Sequence, residues 1–213
     1  MAMTKRQKTI LAATQPGKAY PIEEALKILK DGNERFVKNL KANRNLLQQV
    51  NETAEGQFPF AVILSCIDSR TSAELCFDQG LGDIFSVRIA GNFVNTDILG
   101  SMEFACKVAG SKLVVVLGHS QCGAVKGACD NVQMGNLTSM LANIKPAVEG
   151  VNMDGDRTSK NGEFVQAVAN LNVDKAMEQI RLLSPILKAM EDNNEIGIVG
   201  GMYDVSTGEV TFH

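Results

Sequence analysis

The feature that most constrains the fold is a continuous apolar run, KLVVVLG, at residues 112–118. A run without polar alternation is typical of a β-strand that is covered on both of its faces. FAVILSC at 60–66 and DIFSVRIAG at 83–91 are further strand candidates. A helical pattern that ends at Gly110 lies between DIFSVRIAG and KLVVVLG. Strands that alternate with helices predict an α/β fold with a mostly parallel central β-sheet and flanking helices.

The second half of the chain continues this alternation. LTSMLANIKPAVEGV (137–151) has helical spacing, and a longer helical stretch runs from Glu163 to about Met190. Pro185 should kink or divide that stretch, because proline removes a helical hydrogen bond. The final segments, EIGIVGGMYDV and EVTFH, are separated by STG and predict a C-terminal hairpin that adds an antiparallel edge to the sheet.

The amino-terminal part predicts a helical arm that begins at Pro21, PIEEALKILKDGNERFVKNL, with one broad apolar stripe. This helix must lie on a surface, either the chain's own core or a partner subunit. The polar segment 41–56 is rich in Asn and Gln and is expected to be a loop or a frayed helix. We therefore expect one domain over 1–213, made of a tail at 1–20, the arm at 21–41 and an α/β core at 58–213.

Composition excludes several classes of function. With 45% apolar and 21% charged residues and a net charge of −3, the chain has no basic surplus that would indicate binding to nucleic acid or to an anionic membrane. No apolar run approaches the roughly 18 residues of a transmembrane helix. The five cysteines are odd in number and scattered, which favours free thiols and a metal or catalytic site over a disulfide framework. We expect a cytoplasmic protein, or a periplasmic one if a signal peptide was removed.

Two of the predicted strands end in side chains that bind metals. FAVILS is followed by Cys66, and KLVVVLG by His119 and Cys122. Since ligands of parallel sheets bind at the carboxyl ends of the strands, these side chains converge if the two strands are neighbours. Two thiols and one imidazole form a zinc ligand set, and three protein ligands leave the fourth position open, as in catalytic sites. His213, the last residue, is the only other histidine.

Taken singly, these residues have ordinary structural interpretations. A cysteine at a strand end is usually a small buried hydrophobe. The metal-site interpretation depends on the combination of the three. Cys76, Cys106 and Cys129 lie in apolar helical patterns and are interpreted as buried hydrophobes.

Asp68 and Arg70 follow Cys66 at alternate positions. In extended chain such a pair points the same way, so the carboxylate and the guanidinium can form a bidentate ion pair. The pair could be purely structural. Beside zinc, Asp68 could instead accept a hydrogen bond from metal-bound water, or become the fourth metal ligand in a closed state, and Arg70 would favour the open one.

With CIDSR and HSQC in place, the chain resembles the β-class carbonic anhydrases, which are marked by C-x-D-x-R followed later by H-x-x-C. The segments GDIFSVRIAGNFV, LGSMEFA and GGMYDVSTGEV are also similar to that family, and the resemblance covers about residues 20–213.

The resemblance implies reversible hydration of CO2 to bicarbonate and a proton by a zinc-bound hydroxide, with one Zn²⁺ per chain. It implies that Cys66, His119 and Cys122 are the zinc ligands and that Asp68 and Arg70 are the catalytic dyad. The substrate-binding residues that it implies are Gln57, Phe85, Ala90 and Phe104.

Two positions depart from branches of the family. Phe104 stands where one branch commonly has tyrosine, so a hydroxyl is lost. Ile63 stands where another branch has a tryptophan of an inhibitory bicarbonate site, so we expect no such site.

The resemblance also implies a homodimer or a dimer of dimers, with the arm packed across the partner and a pocket built from both chains. A monomer should then be inactive. Two alternatives remain open: a hydrolase of COS or CS2 with the same fold, and a non-catalytic structural-zinc or thiol protein. A fourth Cys or His ligand would favour the latter.

Overall fold

The computed structural model describes residues 22–213, so the predicted tail at 1–20 and Pro21 lie outside the described residues. A five-stranded sheet forms its centre, in the order β2–β1–β3–β4–β5. The first four strands are parallel, and β5 pairs antiparallel with β4. The predicted α/β class and antiparallel C-terminal edge are therefore confirmed. The strands are β1 (Ala61–Ser65), β2 (Ile84–Arg88), β3 (Leu113–His119), β4 (Gly197–Tyr203) and β5 (Val210–Phe212).

The position of each strand in the sheet follows from its residue pattern. Every residue of β1 and β3 is buried, as expected for continuous apolar runs at the centre of a sheet. In the edge strand β2, buried or half-buried residues alternate with exposed ones, so its outer side faces away from the core.

Nine α-helices and one π-helical turn surround the sheet in the described part of the chain. Pro185 is the first residue of the last helix, and it divides the long helical stretch as predicted. The elements are α1 (Ile22–Val37), α2 (Leu46–Thr53), α3 (Ala73–Cys76), α4 (Thr96–Glu103), the π-helical turn (Phe104–Val108), α5 (Gly123–Cys129), α6 (Gly135–Ala142), α7 (Lys145–Gly150), α8 (Gly162–Leu183) and α9 (Pro185–Asp192).

Two segments differ from the sequence-based expectation. The polar segment 41–56 contains the regular helix α2, which begins where the Asn45 side chain accepts a hydrogen bond from the Gln48 amide. The helix expected over 137–151 is two helices, α6 and α7. Pro146 lies at the start of α7, where its missing N–H cannot continue the hydrogen bonding of α6.

The sheet separates two apolar layers. Ile63 and Val115 face one layer, which contains α1 and α3. Val62 and Val114, one position earlier on the same strands, face the other layer, which contains α4, α8 and α9. This alternation is the period of two that a strand imposes on its side chains.

The amino-terminal helix α1 lies on the chain's own core. Ala25 and Leu29 are fully buried in the apolar layer that also contains Ile63, Val115 and α3. The buried Asn33 side chain donates to the carbonyls of Cys76 and Gly208, at 3.0 and 2.8 Å, which fixes the helix against α3 and the β4–β5 turn. The sequence left open whether this helix lies on the chain's own core or on a partner subunit. The structure shows that the chain's own core covers its inner face. No helix among residues 22–213 is long and apolar enough to span a membrane.

Candidate metal centre

The three predicted metal ligands meet at the carboxyl edge of the central strands. Ser65 of β1 is in register with Leu117 of β3, so Cys66 and His119 follow at the same edge of the sheet. Gln121 adopts a left-handed backbone conformation with φ of +57°, which turns the chain back between the second and third ligands. Cys122 then precedes α5.

The geometry of the three side chains fits a tetrahedral metal ion. Their ligand atoms all lie within 4.8 Å of one another, and the sulfurs of Cys66 and Cys122 are 4.0 Å apart. A tetrahedral zinc ion with Zn–S bonds of ~2.3 Å places two sulfurs about 3.8 Å apart. All three side chains are buried, with 4%, 1% and 1% exposure for Cys66, His119 and Cys122.

The imidazole of His119 is oriented for a metal. Its Nδ1 lies 2.9 Å from the Ser120 carbonyl oxygen, which can only accept, so Nδ1 carries the proton. Its Nε2 therefore holds a lone pair, yet it is buried and has no hydrogen-bond partner among the described residues. Metal-bound histidines characteristically donate the other ring N–H to a carbonyl or carboxylate, and a metal ion would satisfy this orphaned atom.

The sulfurs of Cys66 and Cys122 lie within hydrogen-bonding distance of each other, and either thiol can be the donor. This contact lowers the pKa of Cys66 and raises the pKa of Cys122. The Gly91 amide also donates to Cys66 Sγ, at 3.3 Å. A divalent cation would displace the thiol protons, since thiolates are the form that binds metals.

The fourth metal position is not supplied by a further Cys or His. Among the described residues, the only cluster of three or more Cys, His, Asp or Glu side chains suited to a metal is this one. Cys76, Cys106 and Cys129 lie outside it as free cysteines, and burial raises the pKa of the Cys106 thiol to about 12. The cluster thus has the composition of an open site.

Asp68 lies beside this cluster as a carboxylate held by Arg70. The guanidinium donates to both carboxylate oxygens, at 2.9 and 2.8 Å, and the Arg70 amide donates to one of them at 3.0 Å. These bonds hold the pKa of Asp68 well below its usual range. The bidentate pair inferred from the alternate spacing is therefore present.

Arg88 fixes the backbone between the first ligand and this pair. It ends β2 in register with Ser65, and its guanidinium donates to the carbonyls of Cys66 and Asp68, at 2.9 and 2.6 Å. Sequence reasoning did not single it out, although a basic residue at the carboxyl end of a neighbouring strand was the available signal.

The predicted substrate-binding residues lie in three places. Phe85 of β2 and Phe104 contact each other edge to face, 6.3 Å between ring centroids, and line an open groove with Arg88. Ala90 is half-buried and precedes Gly91. Gln57 lies on an exposed loop beside Gly82, before β1 begins. The length of β1, about 16 Å, separates Gln57 from the metal edge of its own chain.

Ile63, which replaces the tryptophan of one branch, is fully buried in the middle of β1. It packs in the core layer shared with α1.

Comparisons with known proteins agree with this arrangement. The family model described as carbonic anhydrase matches residues 61–210. Carbonic anhydrase 2 of Mycobacterium tuberculosis is 38% identical over 192 residues, which cover 86% of this chain and 89% of that protein.

Solved structures show the same fold. A β-carbonic anhydrase of the fungal pathogen Aspergillus fumigatus superimposes with a TM-score of 0.67 at 24% identity, covering 90% of this chain and 89% of that one. One of two tetrameric β-carbonic anhydrases from the ascomycete Sordaria macrospora gives a TM-score of 0.65 at 23% identity, covering 78% and 89%.

Proposed function

Because the chain belongs to the β-class carbonic anhydrases, we propose that it catalyses the reversible hydration of CO2 to bicarbonate and a proton, with one zinc ion per chain. The observation that carries this proposal is the buried cluster of Cys66, His119 and Cys122, whose imidazole Nε2 has no other partner among residues 22–213. When bound there, zinc supplies a Lewis acid that makes water nucleophilic near neutral pH.

In this proposal Asp68 orients the attacking water. An ionised carboxylate only accepts hydrogen bonds, and the bonds from Arg70 keep Asp68 ionised and fixed in direction. Released from Arg70, the same carboxylate could close on the metal as a fourth ligand. The Arg70 ion pair therefore favours the open position that the reaction needs.

The apolar side chains of the proposed substrate pocket suit a substrate without net charge. Phe85, Ala90 and Phe104 offer CO2 apolar contacts, and Phe104 contributes no hydroxyl. The bicarbonate product carries a charge and is better solvated by water, so such a surface favours its release.

The active unit that we propose is a homodimer or a dimer of dimers. Gln57 lies at the far end of its own sheet, so it can contribute to a metal site only from another chain. Tetrameric relatives in Sordaria macrospora are consistent with such an assembly. A monomer is then expected to lack part of its substrate pocket.

Stopped-flow measurement of CO2 hydration on metal-analysed protein tests the proposal. We expect one zinc per chain and a rate that increases from neutral to alkaline pH. A Cys122→Ser variant should lose both zinc and activity, whereas Cys129→Ser, outside the cluster, should keep both. Stoichiometric zinc without hydration at any pH would contradict the proposed substrate, and absence of zinc would contradict the site itself.

A further inference from the structure

A polar side chain, Asn172, is buried in the apolar inner face of α8. It is 3% exposed, and its neighbours on that face are apolar: Val168, Ala169, Val173 and Ala176. A buried amide costs free energy unless its hydrogen bonds are made. Asn172 makes one of them across the fold, because its Nδ2 donates to the Gly91 carbonyl oxygen at 2.8 Å.

Gly91 connects this amide to the metal centre. Its own N–H donates to Cys66 Sγ at 3.3 Å. Its φ is +82°, a left-handed conformation that favours glycine, and a Cβ at this position would press against the end of the Ile144 side chain. The Asn92 amide closes the turn around Gly91 by donating to the Ile89 carbonyl at 3.0 Å, and Asn172 adds a side-chain bond to the Gly91 carbonyl itself.

We propose that Asn172 is a positioning residue for the first zinc ligand. By holding the Gly91 carbonyl, it keeps the Gly91 N–H directed at Cys66 Sγ and so controls the position and electron donation of that thiolate. This inference rests on the zinc site proposed above. Partners of metal ligands that do not touch the metal themselves typically change metal affinity by 10- to 100-fold.

Asn172→Leu tests the role, because leucine keeps the volume and removes the donor. Competition with a chelator should show zinc affinity about tenfold weaker, since the thiolate is no longer held in place. In cobalt-substituted protein, the thiolate-to-metal charge-transfer band should move to lower energy. A thiolate sulfur that no longer accepts an N–H hydrogen bond is a stronger electron donor, and this lowers the energy of the charge-transfer transition.

Two control variants separate positioning from general damage. Val168→Ala opens a cavity on the same buried helix face without removing a hydrogen bond, so it should lower the melting temperature and leave the cobalt band unchanged. Asn170→Ala removes an exposed asparagine two residues away, whose amide oxygen accepts a hydrogen bond from Gln166 on the same helix. It should change neither the melting temperature nor the cobalt band.

The inference is overturned if Asn172→Leu retains wild-type zinc affinity and cobalt spectrum, or if Val168→Ala shifts the band equally. Should Asn172→Leu not fold, the wild-type protein loaded with cadmium-113 provides the test. A scalar coupling between the Gly91 amide proton and cadmium supports the N–H···S contact, and its absence refutes it. A wild-type chain that binds no zinc would overturn the proposed function as well, whereas zinc binding with an unaffected variant overturns this inference alone.

Discussion

The carboxylate of Asp68 accepts three hydrogen bonds from Arg70, two from the guanidinium and one from the backbone amide. Both residues belong to one short segment, and Arg88 of β2 holds the backbone of that segment at the Asp68 carbonyl. The chemical effect of the ion pair depends on the metal centre beside it, since a free carboxylate would be a competing ligand. In the proposed zinc site, the ion pair would keep this carboxylate off the metal.

Arg70→Ala is expected to reduce CO2 hydration by roughly tenfold or more, because Asp68 is then free to close on the metal. Zinc content should stay at one per chain. Steady-state hydration rates together with metal analysis check both parts.

Arg181→Ala is the matched control for this change. It also removes a bidentate Arg–carboxylate pair, with both bonds to Glu191 at 2.8 Å, but on the helices α8 and α9. Its activity should stay close to wild type. An Arg70→Ala enzyme as fast as wild type would contradict the role given to this arginine.

Asp78 is the centre of a second group of ion pairs, which has a structural role. Its side chain is 2% exposed and forms ion pairs with Arg35 of α1, at 2.6 Å, and with Arg44. Burial by itself would raise the pKa of Asp78, but the bonds from Arg44, Arg35 and the Ala42 amide outweigh it and lower the pKa. The ionised carboxylate therefore stabilises the folded state above about pH 4, where the unfolded group is also ionised, and this contribution is lost as the pH falls through the lower folded value.

Asp78→Asn should destabilise the protein by about 2 kcal/mol at neutral pH. The difference from wild type should shrink in acid, and thermal unfolding at neutral and acidic pH measures it. Asp31→Asn, which removes an exposed ion pair with Lys27, should have little effect at either pH. A constant difference between Asp78→Asn and wild type across pH would refute the electrostatic explanation.

At the scale of whole elements, α8 packs against the sheet near the carboxyl ends of β1 and β3, where the proposed metal site lies. Asn172 holds the loop that contacts Cys66, and the next residue, Val173, packs against Gly118. A Cβ at Gly118 would lie 2.6 Å from Val173 Cγ2, so the helix and β3 approach too closely for a side chain there. One helix face thus contacts the backbone of Gly91, which bonds to Cys66, and of Gly118, which precedes His119.

The docking of α1 also depends on a close approach. Gly32 is buried in that helix, and a Cβ there would collide with the carbonyl oxygen of Phe77, which is backbone and cannot rotate away. Gly32→Ala should therefore lower stability by about 2 kcal/mol, although alanine is the better helix former.

Gly100→Ala provides the contrast, because a Cβ at Gly100 of α4 meets open space. It should be neutral or slightly stabilising. Thermal melts of the two variants measure the difference. Equal stability of both would show that α1 can shift without cost.

At the scale of the whole molecule, the position of Gln57 bears on the assembly. Gln57 lies before β1, whereas Cys66 of the proposed metal site lies after it, so one chain cannot bring the two together. If Gln57 binds substrate, it does so at the metal site of another chain.

Mixing two inactive variants tests this arrangement. Gln57→Ala and His119→Ala should each reduce activity strongly when present alone. In mixed dimers, one site carries both defects and the other none, so about a quarter of all sites should be intact after random exchange. The rate of the mixture reports this recovery. No recovery in verified mixed dimers would mean that Gln57 does not act across subunits.

The sequence by itself determined the sheet, the convergence of Cys66, His119 and Cys122, and the Asp68–Arg70 pair. Continuous apolar runs require burial on both faces and parallel strands bring their carboxyl ends together, so the first two inferences follow from local pattern and one topological rule. The ion pair was inferred from extended chain, but it forms in a turn, where the Arg70 amide also donates to Asp68. Only the tertiary structure decided that α1 lies on the chain's own core, that Arg88 donates to the backbone after β1 and that Asn172 bonds to Gly91. Asn172 and Gly91 are 81 residues apart. Contacts across such separations leave no periodic trace in the chain, because they depend on how α8 packs beneath the sheet.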